Sequence, residues 1–468
     1  MSNLKKDDIQ ALINTRNMYR LTPHNSYDDV FYGNPRTTLF HCENTTQINH
    51  SREYTTLKPE TNVEFNNTIT FKLPKSFDIL ENCFIQFTLP TWFSREVIEK
   101  LAKGELRYRN ETIDRFEYCN GIGYYLFDSI ELRINGKEIQ KLTPEMLHIY
   151  HKYSSTQNTN RSIRSTYHGY FDNPTCYNQT ANIMTNYDTH YSMKLPFFFG
   201  LSEVSKLLVS GLRDRDCEII FRLKSLEKVL FNPKNRDRLC NLQEPFGRTI
   251  SFMNQDDVIE SHKAKEKDSL FIEKFELVLS SIYLPVENRK LITELTHRLP
   301  VKIYEDIYTQ IEAAKVSSNS IQIPIETNGV GKYIYVMCRL KENTLFNEYS
   351  NYSRSSNTQI LASNRAFPII KKLSLVINRE ENFIEKTANM LLLEENRHYS
   401  HFQSSYDIMY KVDITNRMHS GLIWSNYDDI RMKVEFYDNI NKDMEVYIIL
   451  ENQNILRFTN KICSLEFS

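Results

Sequence analysis

Residues 129–139 (SIELRINGKEI) have a counterpart at a fixed distance along the chain. Ile130, Leu132 and Ile134 alternate with Glu131 and Arg133, and Asn135-Gly136 follows. The alternation predicts a half-buried strand, and Asn-Gly predicts a tight turn that closes a hairpin. At an offset of 243 residues (373 minus 130) the chain reads LSLVIN over 373–378, with Glu381 where Glu138 stands in the first copy. Each copy leads into a short apolar segment, Leu147, Ile149 and Tyr150 in the first and Met390, Leu392 and Leu393 in the second. A repeat at fixed offset constrains architecture more than an isolated motif does, because it calls for two equivalent structural units.

The rest of the chain supplies the strands such units need. Val63, Phe65, Ile69 and Phe71 mark one extended stretch, and Leu80, Cys83, Ile85 and Phe87 another. Further strands are predicted at 193–200, 204–223, 270–285, 301–311, 320–326, 332–340, 406–413, 428–437 and 443–457. Thr143-Pro144-Glu145 carries the signals of a helix start: a cap residue, proline at the first position and an acid in the first turn. Helices are also expected near 96–103, 288–295 and 387–397. Many short strands separated by turns predict an all-β chain of sandwiches or barrels. The expected fold is two consecutive eight-stranded jelly rolls with short inserted helices. The expected divisions are an N-terminal arm at 1–45, a first jelly roll at 46–230, a linker at 231–268 and a second jelly roll at 269–468. The polar segments 154–188 and 343–365 are expected to project as loops.

Composition narrows the function classes. Among 468 residues, 58 Lys and Arg balance 59 Asp and Glu. A protein that coats nucleic acid carries a basic excess, so no sequence-specific nucleic-acid binding is expected. Eight cysteines are scattered without a CxxC pair, which predicts reduced core thiols and not a disulfide framework. The N-terminus has no apolar run of signal-peptide length, and no stretch reaches the roughly 18 apolar residues of a membrane-spanning helix. A soluble chain made in a cytosol is expected.

Candidate chemistry is sparse. His148 and His151 lie three apart, as do His398 and His401, a spacing that can bind metal. Neither pair has the further ligands that a metal centre needs. Gly329-Val330-Gly331-Lys332 lacks the spacing of a phosphate loop, with Tyr333 where Ser or Thr must stand. A hairpin turn accounts for it. The adjacent acids Asp28-Asp29 and Asp428-Asp429 would point to opposite faces of a strand. Trp92, Phe93 and 197–199 (FFF) are expected in the core, with sugar stacking as the alternative. No catalytic, cofactor or metal residues are assigned, and an enzyme is not expected. Sequons occur at Asn44, Asn49, Asn66, Asn110, Asn160, Asn178 and Asn351 and mark possible glycosylation.

Several segments, taken in order, resemble the major capsid proteins of the nucleocytoplasmic large DNA viruses. They are Asp29, Gly33-Asn34-Pro35 and Thr38-Leu39-Phe40; Asn120, Gly123, Ser129, Glu131-Leu132, Ile134, Gly136 and Ile139; and Leu195-Pro196-Phe197-Phe198-Phe199. Later come Tyr283-Leu284 with Glu287-Asn288-Arg289, Ser420-Gly421 with Asp428-Asp429, and Asn454-Ile455-Leu456-Arg457. The similarity spans about residues 27–468. Two places depart from the family pattern. The expected Gln-Tyr-His-Glu is Leu212-Arg213-Asp214-Arg215-Asp216-Cys217-Glu218, and His41-Cys42-Glu43-Asn44 replaces an arginine-rich stretch. The resemblance implies a double jelly roll that trimerises into a pseudo-hexagonal capsomer and tiles an icosahedral shell. It implies a virion protein assembled in host cytoplasm, with neighbouring capsomers, minor capsid and penton proteins and the inner viral membrane as partners. The departures keep open a transient membrane-shaping scaffold or a minor capsid paralogue of the same fold. A carbohydrate-binding double β-sandwich is the alternative from another class.

Overall fold

Asn135 and Gly136 both adopt positive φ, 50° and 74°, as the turn of a two-residue hairpin requires. Ile134 pairs with Lys137 across it. The second copy repeats the device: Asn378 has φ 49°, and Ile377 pairs with Glu380. These hairpins belong to a computed structural model that describes residues 50–466, apart from 109–116, 155–162, 165, 171–189, 202–204, 213–215, 232–245, 295–296, 314–318, 355–367, 379, 400–406, 416–420, 438–440 and 460–461. The N-terminal arm expected at 1–45 therefore lies outside the described residues, as do Asp28-Asp29 and His401.

Eight strands build the first sandwich: β1 (Ser51–Leu57), β2 (Thr68–Lys72), β3 (Ile79–Thr88), β4 (Phe127–Ile134), β5 (Lys137–Leu142), β6 (His190–Lys194), β7 (Cys217–Leu223) and β8 (Glu273–Tyr283). One sheet runs β1-β8-β3-β6 and the other β2-β7-β4-β5, with antiparallel neighbours. Eight more build the second: β9 (His297–Ile311), β10 (Ser320–Pro324), β11 (Val330–Leu340), β12 (Ile370–Ile377), β13 (Glu380–Thr387), β14 (Met409–Asp413), β15 (Ile430–Phe436) and β16 (Met444–Thr459). Their sheets run β9-β16-β11-β14 and β10-β15-β12-β13. Counted from one within each set, both sandwiches have the same two orders, 1-8-3-6 and 2-7-4-5. The repeated hairpin is strands four and five of each. The expected pair of eight-stranded jelly rolls is thus present, and residues 51–468 form one compact unit. Helix α1 (Pro144–Tyr153) follows the first hairpin and α2 (Ala388–Tyr399) the second.

The expected boundary at 268 is corrected. Strand β8, assigned from the sequence to the start of the second unit, lies between β1 and β3 of the first. Its Phe275 packs against Phe71, Phe87 and Phe221 at 5.5–6.1 Å between ring centroids. Without β8 the first sheet would lose a central strand and the sandwich an aromatic face. The expected linker is also structured where described: Thr249–Asn254 and Ile259–Lys263 form a hairpin that pairs with Leu106–Tyr108. The short helix Val286–Glu294 then crosses to β9. Arg289 binds Asp78 at 2.7 Å, and the Leu284 amide donates to the same carboxylate at 2.8 Å. That contact ties the end of the first sandwich to the start of β3, and it gives the Tyr283-to-Arg289 motif a structural role.

Burial follows the alternation, with one exception that has a cause. Ile130, Leu132 and Ile134 are buried in the core. Glu131, expected to face water, is buried too, because Arg222 at 3.0 Å and Arg133 at 2.8 Å cover it. An opposite charge on the neighbouring strand and another two residues along the same strand permit this. Replacing Leu132 by Ala should cost about 2–5 kcal/mol, read from the urea midpoint. Leu132→Asp, which strands a charge in the core, should give insoluble or unfolded protein. Soluble Leu132→Asp protein with a wild-type midpoint would contradict this placement.

Candidate assembly site: the seam between the sandwiches

Helix α1 is short and carries charges, yet Pro144, Glu145, Met146, Leu147, His148, Ile149, His151 and Lys152 are all buried. It is covered from both sides, by Tyr124 and the Lys194 carbonyl of its own half and by Asp407 and Arg339 of the second. The expected Thr143 cap places its residue in extended backbone, but the side chain makes no capping hydrogen bond. The helix is held by what it packs against.

Two charged clusters join the halves there. In the first, Asp407, just before β14, meets Arg164 at 3.2 Å, Lys152 at 3.7 Å and His148 at 3.3 Å. Lys152 also donates to the Asp407 main-chain oxygen at 3.0 Å. In the second, Arg339 on β11 binds Glu445 on β16 at 3.0 Å and Glu145 of α1 at 3.5 Å. It donates to the Tyr349 carbonyl at 2.6 Å, and Thr344 donates to Glu445 at 2.6 Å. Burial alone would raise the Asp407 pKa, but Lys152 and Arg164 hold it well below the usual carboxylate range. An isolated charge would not survive such burial; here Asp407 is paired from the first sandwich and Arg339 from both.

Neutral polar groups complete the seam. Arg164 lies 2.8 Å from Nε2 of His148. A guanidinium only donates, so Nε2 accepts and Nδ1 carries the proton, which it gives to the Tyr125 hydroxyl at 3.0 Å. Tyr125 in turn lies 2.9 Å from the Tyr352 hydroxyl of the second half. Asn347 donates to the carbonyls of Glu227 and Leu230, at 2.7 and 2.6 Å. Lys224 sits 4.2 Å above the Tyr349 ring. One apolar cluster is continuous from the first core into Val301, Ile303, Met337 and Ile449 of the second.

The structure redistributes the candidates read from the sequence. His148 and His151 are buried seam residues, and no group of three or more metal-ligating side chains occurs among the described residues. Segments 154–188 and 343–365 were expected to project. Among their described residues, Arg164, His168, Tyr170 and residues 347–353 turn inward and are buried, whereas Ile163, Tyr167 and Leu345 are exposed. The sequon at Asn351 is corrected accordingly. Asn351 is fully buried and donates to Glu348 at 3.2 Å, so the folded chain cannot carry a glycan there. Asn66 is exposed; Asn44, Asn49, Asn110, Asn160 and Asn178 lie outside the described residues. Trp92 stacks on Tyr118 in the core, and Phe197, Phe198 and Phe199 are buried, so none offers a sugar-binding face. Sequence reasoning missed Asp407, Arg164 and Arg339. Arg339 left one trace, a lone cation in the apolar run 333–340.

Residues 38–247 match the family described as "Major capsid protein N-terminus". The match covers a little under half of the chain and falls within the first jelly roll and the segments before and after it. The capsid protein of the PBCV-1 virus quasi-atomic model is similar in structure, with TM-score 0.65, 12% identity, and coverage of 92% of this chain and 100% of that one. The Faustovirus major capsid protein is similar with TM-score 0.62, 11% identity, and coverage of 98% and 100%. No curated protein matches in sequence. At such identities the likeness is one of fold. The family segment around Gly123 has a steric cause in this double jelly roll: a Cβ there would lie 2.8 Å from the His168 carbonyl oxygen.

Two outcomes follow for the seam. Arg339→Met leaves Glu445 and Glu145 buried without their cation and should cost about 3–5 kcal/mol, measured by urea unfolding at neutral pH. Acid should also loosen the seam. Burial holds His148 and His151 neutral, lowering their pKa to about 4 and about 3. The unfolded chain protonates its histidines near about pH 6.5. The stability from the neutral forms is therefore complete above about pH 6.5 and falls with acid by about 1.4 kcal/mol per pH unit for each histidine until the folded values are reached. Unfolding midpoints constant from neutral pH to pH near 5 would contradict this.

Proposed function

We propose that the protein is a structural capsid subunit, three copies of which form a pseudo-hexagonal capsomer that tiles an icosahedral shell. The observation that carries this is the identical strand order of two sandwiches within one chain, fastened by the buried seam. Three such chains around an axis present six similar units, and closed rotational symmetry is the usual outcome of self-association. Both halves must then hold one fixed relation, which a seam of paired buried charges supplies. The near balance of 58 basic and 59 acidic residues suits close packing of copies, since low net charge weakens mutual repulsion. The role is structural and not catalytic. The protein's place is the virion, with assembly in host cytoplasm, and its partners are copies of itself, minor capsid and penton proteins and the inner viral membrane. Among the described residues no helix is long and apolar enough to cross a membrane. Light scattering of purified protein should give the mass of a trimer, and electron micrographs should show hexagonal outlines about a threefold axis. Monomers at all protein and salt concentrations tried would refute the capsomer. Depletion from mature particles would assign the same fold to a transient scaffold.

A further inference from the structure

Beside the charged clusters, the seam borders an open cavity of about 460 Å³. Four lysines line it: Lys194 and Lys206 from the first sandwich, Lys302 and Lys411 from the second. Among the described residues, Glu451 is the one carboxylate in the lining, and its commitments are internal. Lys302 binds it at 2.6 Å, and Tyr335 and Tyr304 donate to it at 3.0 and 3.4 Å. Lys206 is shared with Glu81 at 3.3 Å, which also holds Arg52 at 2.6 Å. The Lys411 ammonium lies 3.8 Å above the Tyr333 ring. Lys194 has no carboxylate at ion-pairing distance among the described residues, is partly withdrawn from water, and is close enough to Lys206 for the two to repel. Among the described lining residues, four ammonium groups gather around one carboxylate. Gathered ammonium groups repel one another, and an anion placed among them relieves that repulsion.

We propose that this cavity binds a multiply charged oxyanion of the phosphate class, inorganic or carried on an organic ester, held by Lys194, Lys206 and Lys411. Ammonium groups are compact donors suited to phosphate oxygens, and the volume is within the range of small-ligand sites. Tyr150 and Tyr153 of α1 also line the cavity. They offer hydroxyl donors and ring faces to any organic part. Because the lysines come from both sandwiches, the bound anion would brace the seam independently of how copies of the chain associate. Binding to the folded form alone raises stability by mass action.

Calorimetry of the full-length protein at low salt, with pyrophosphate and separately with adenosine triphosphate, tests this. Saturable binding at one site per chain is expected, with a rise in melting temperature. Lys194→Met should weaken binding by about tenfold or more, the loss of one charge-assisted hydrogen bond. It should leave the ligand-free melting temperature equal or higher, since it removes an unpaired, partly desolvated cation. Lys263→Met on the exposed hairpin should bind as wild type does. Tighter binding of the nucleotide would assign the site to a phosphate ester, and equal binding to a bare phosphate chain. No saturable binding of either probe, or wild-type affinity in Lys194→Met, would overturn the proposal.

Discussion

Asp407 is the point on which the relation between the two sandwiches turns. Its carboxylate is buried, and the cations that neutralise it, Lys152 and Arg164, come from the other half. Neither sandwich could bury its own share of these charges alone, because an unpaired buried ion is far costlier than a paired one. The same holds for Arg339, which is matched by Glu445 of its own half and Glu145 of α1. The charged seam adds less to net stability than an apolar one of equal area would. It does set register: sliding one half over the other would break several charge pairs together.

This constraint explains features that look unrelated along the chain. Helix α1 is buried on nearly every side although it is rich in charged and polar residues. The segment around Tyr349 and Tyr352 folds inward to place hydroxyls beside Tyr125 and the Lys228 carbonyl. Gly123 lacks a side chain because the His168 backbone passes there, and His168 in turn packs against His151 at 4.3 Å between ring centroids. The paired charges and the shared apolar cluster hold the two sandwiches as one compact unit.

Much of each sandwich was legible because β-structure writes a local record. The pattern of Ile130, Leu132 and Ile134, the Asn135-Gly136 turn and the copy at 373–378 led directly to the fourth and fifth strands of two matching jelly rolls. Strand β8 was legible as a strand and misplaced as a member, since Leu277 and Leu279 alternate equally well whichever sheet receives them. Polar segments were read as projecting loops. Composition does not reveal that Asn351 has Glu348 and Ser353 as buried partners.

The sequence by itself determined the strands, their turns, the repeat and hence the double-sandwich class, because side-chain alternation and turn stereochemistry act between residues close in the chain. Tertiary structure alone decided which sandwich owns β8, why Glu131 is buried, and that Asp407 meets Lys152 across 255 positions. It also decided that four lysines share one cavity. The physical reason is range. Burial of a charge is permitted or forbidden by partners that are near in space and distant in sequence, and no local pattern names them.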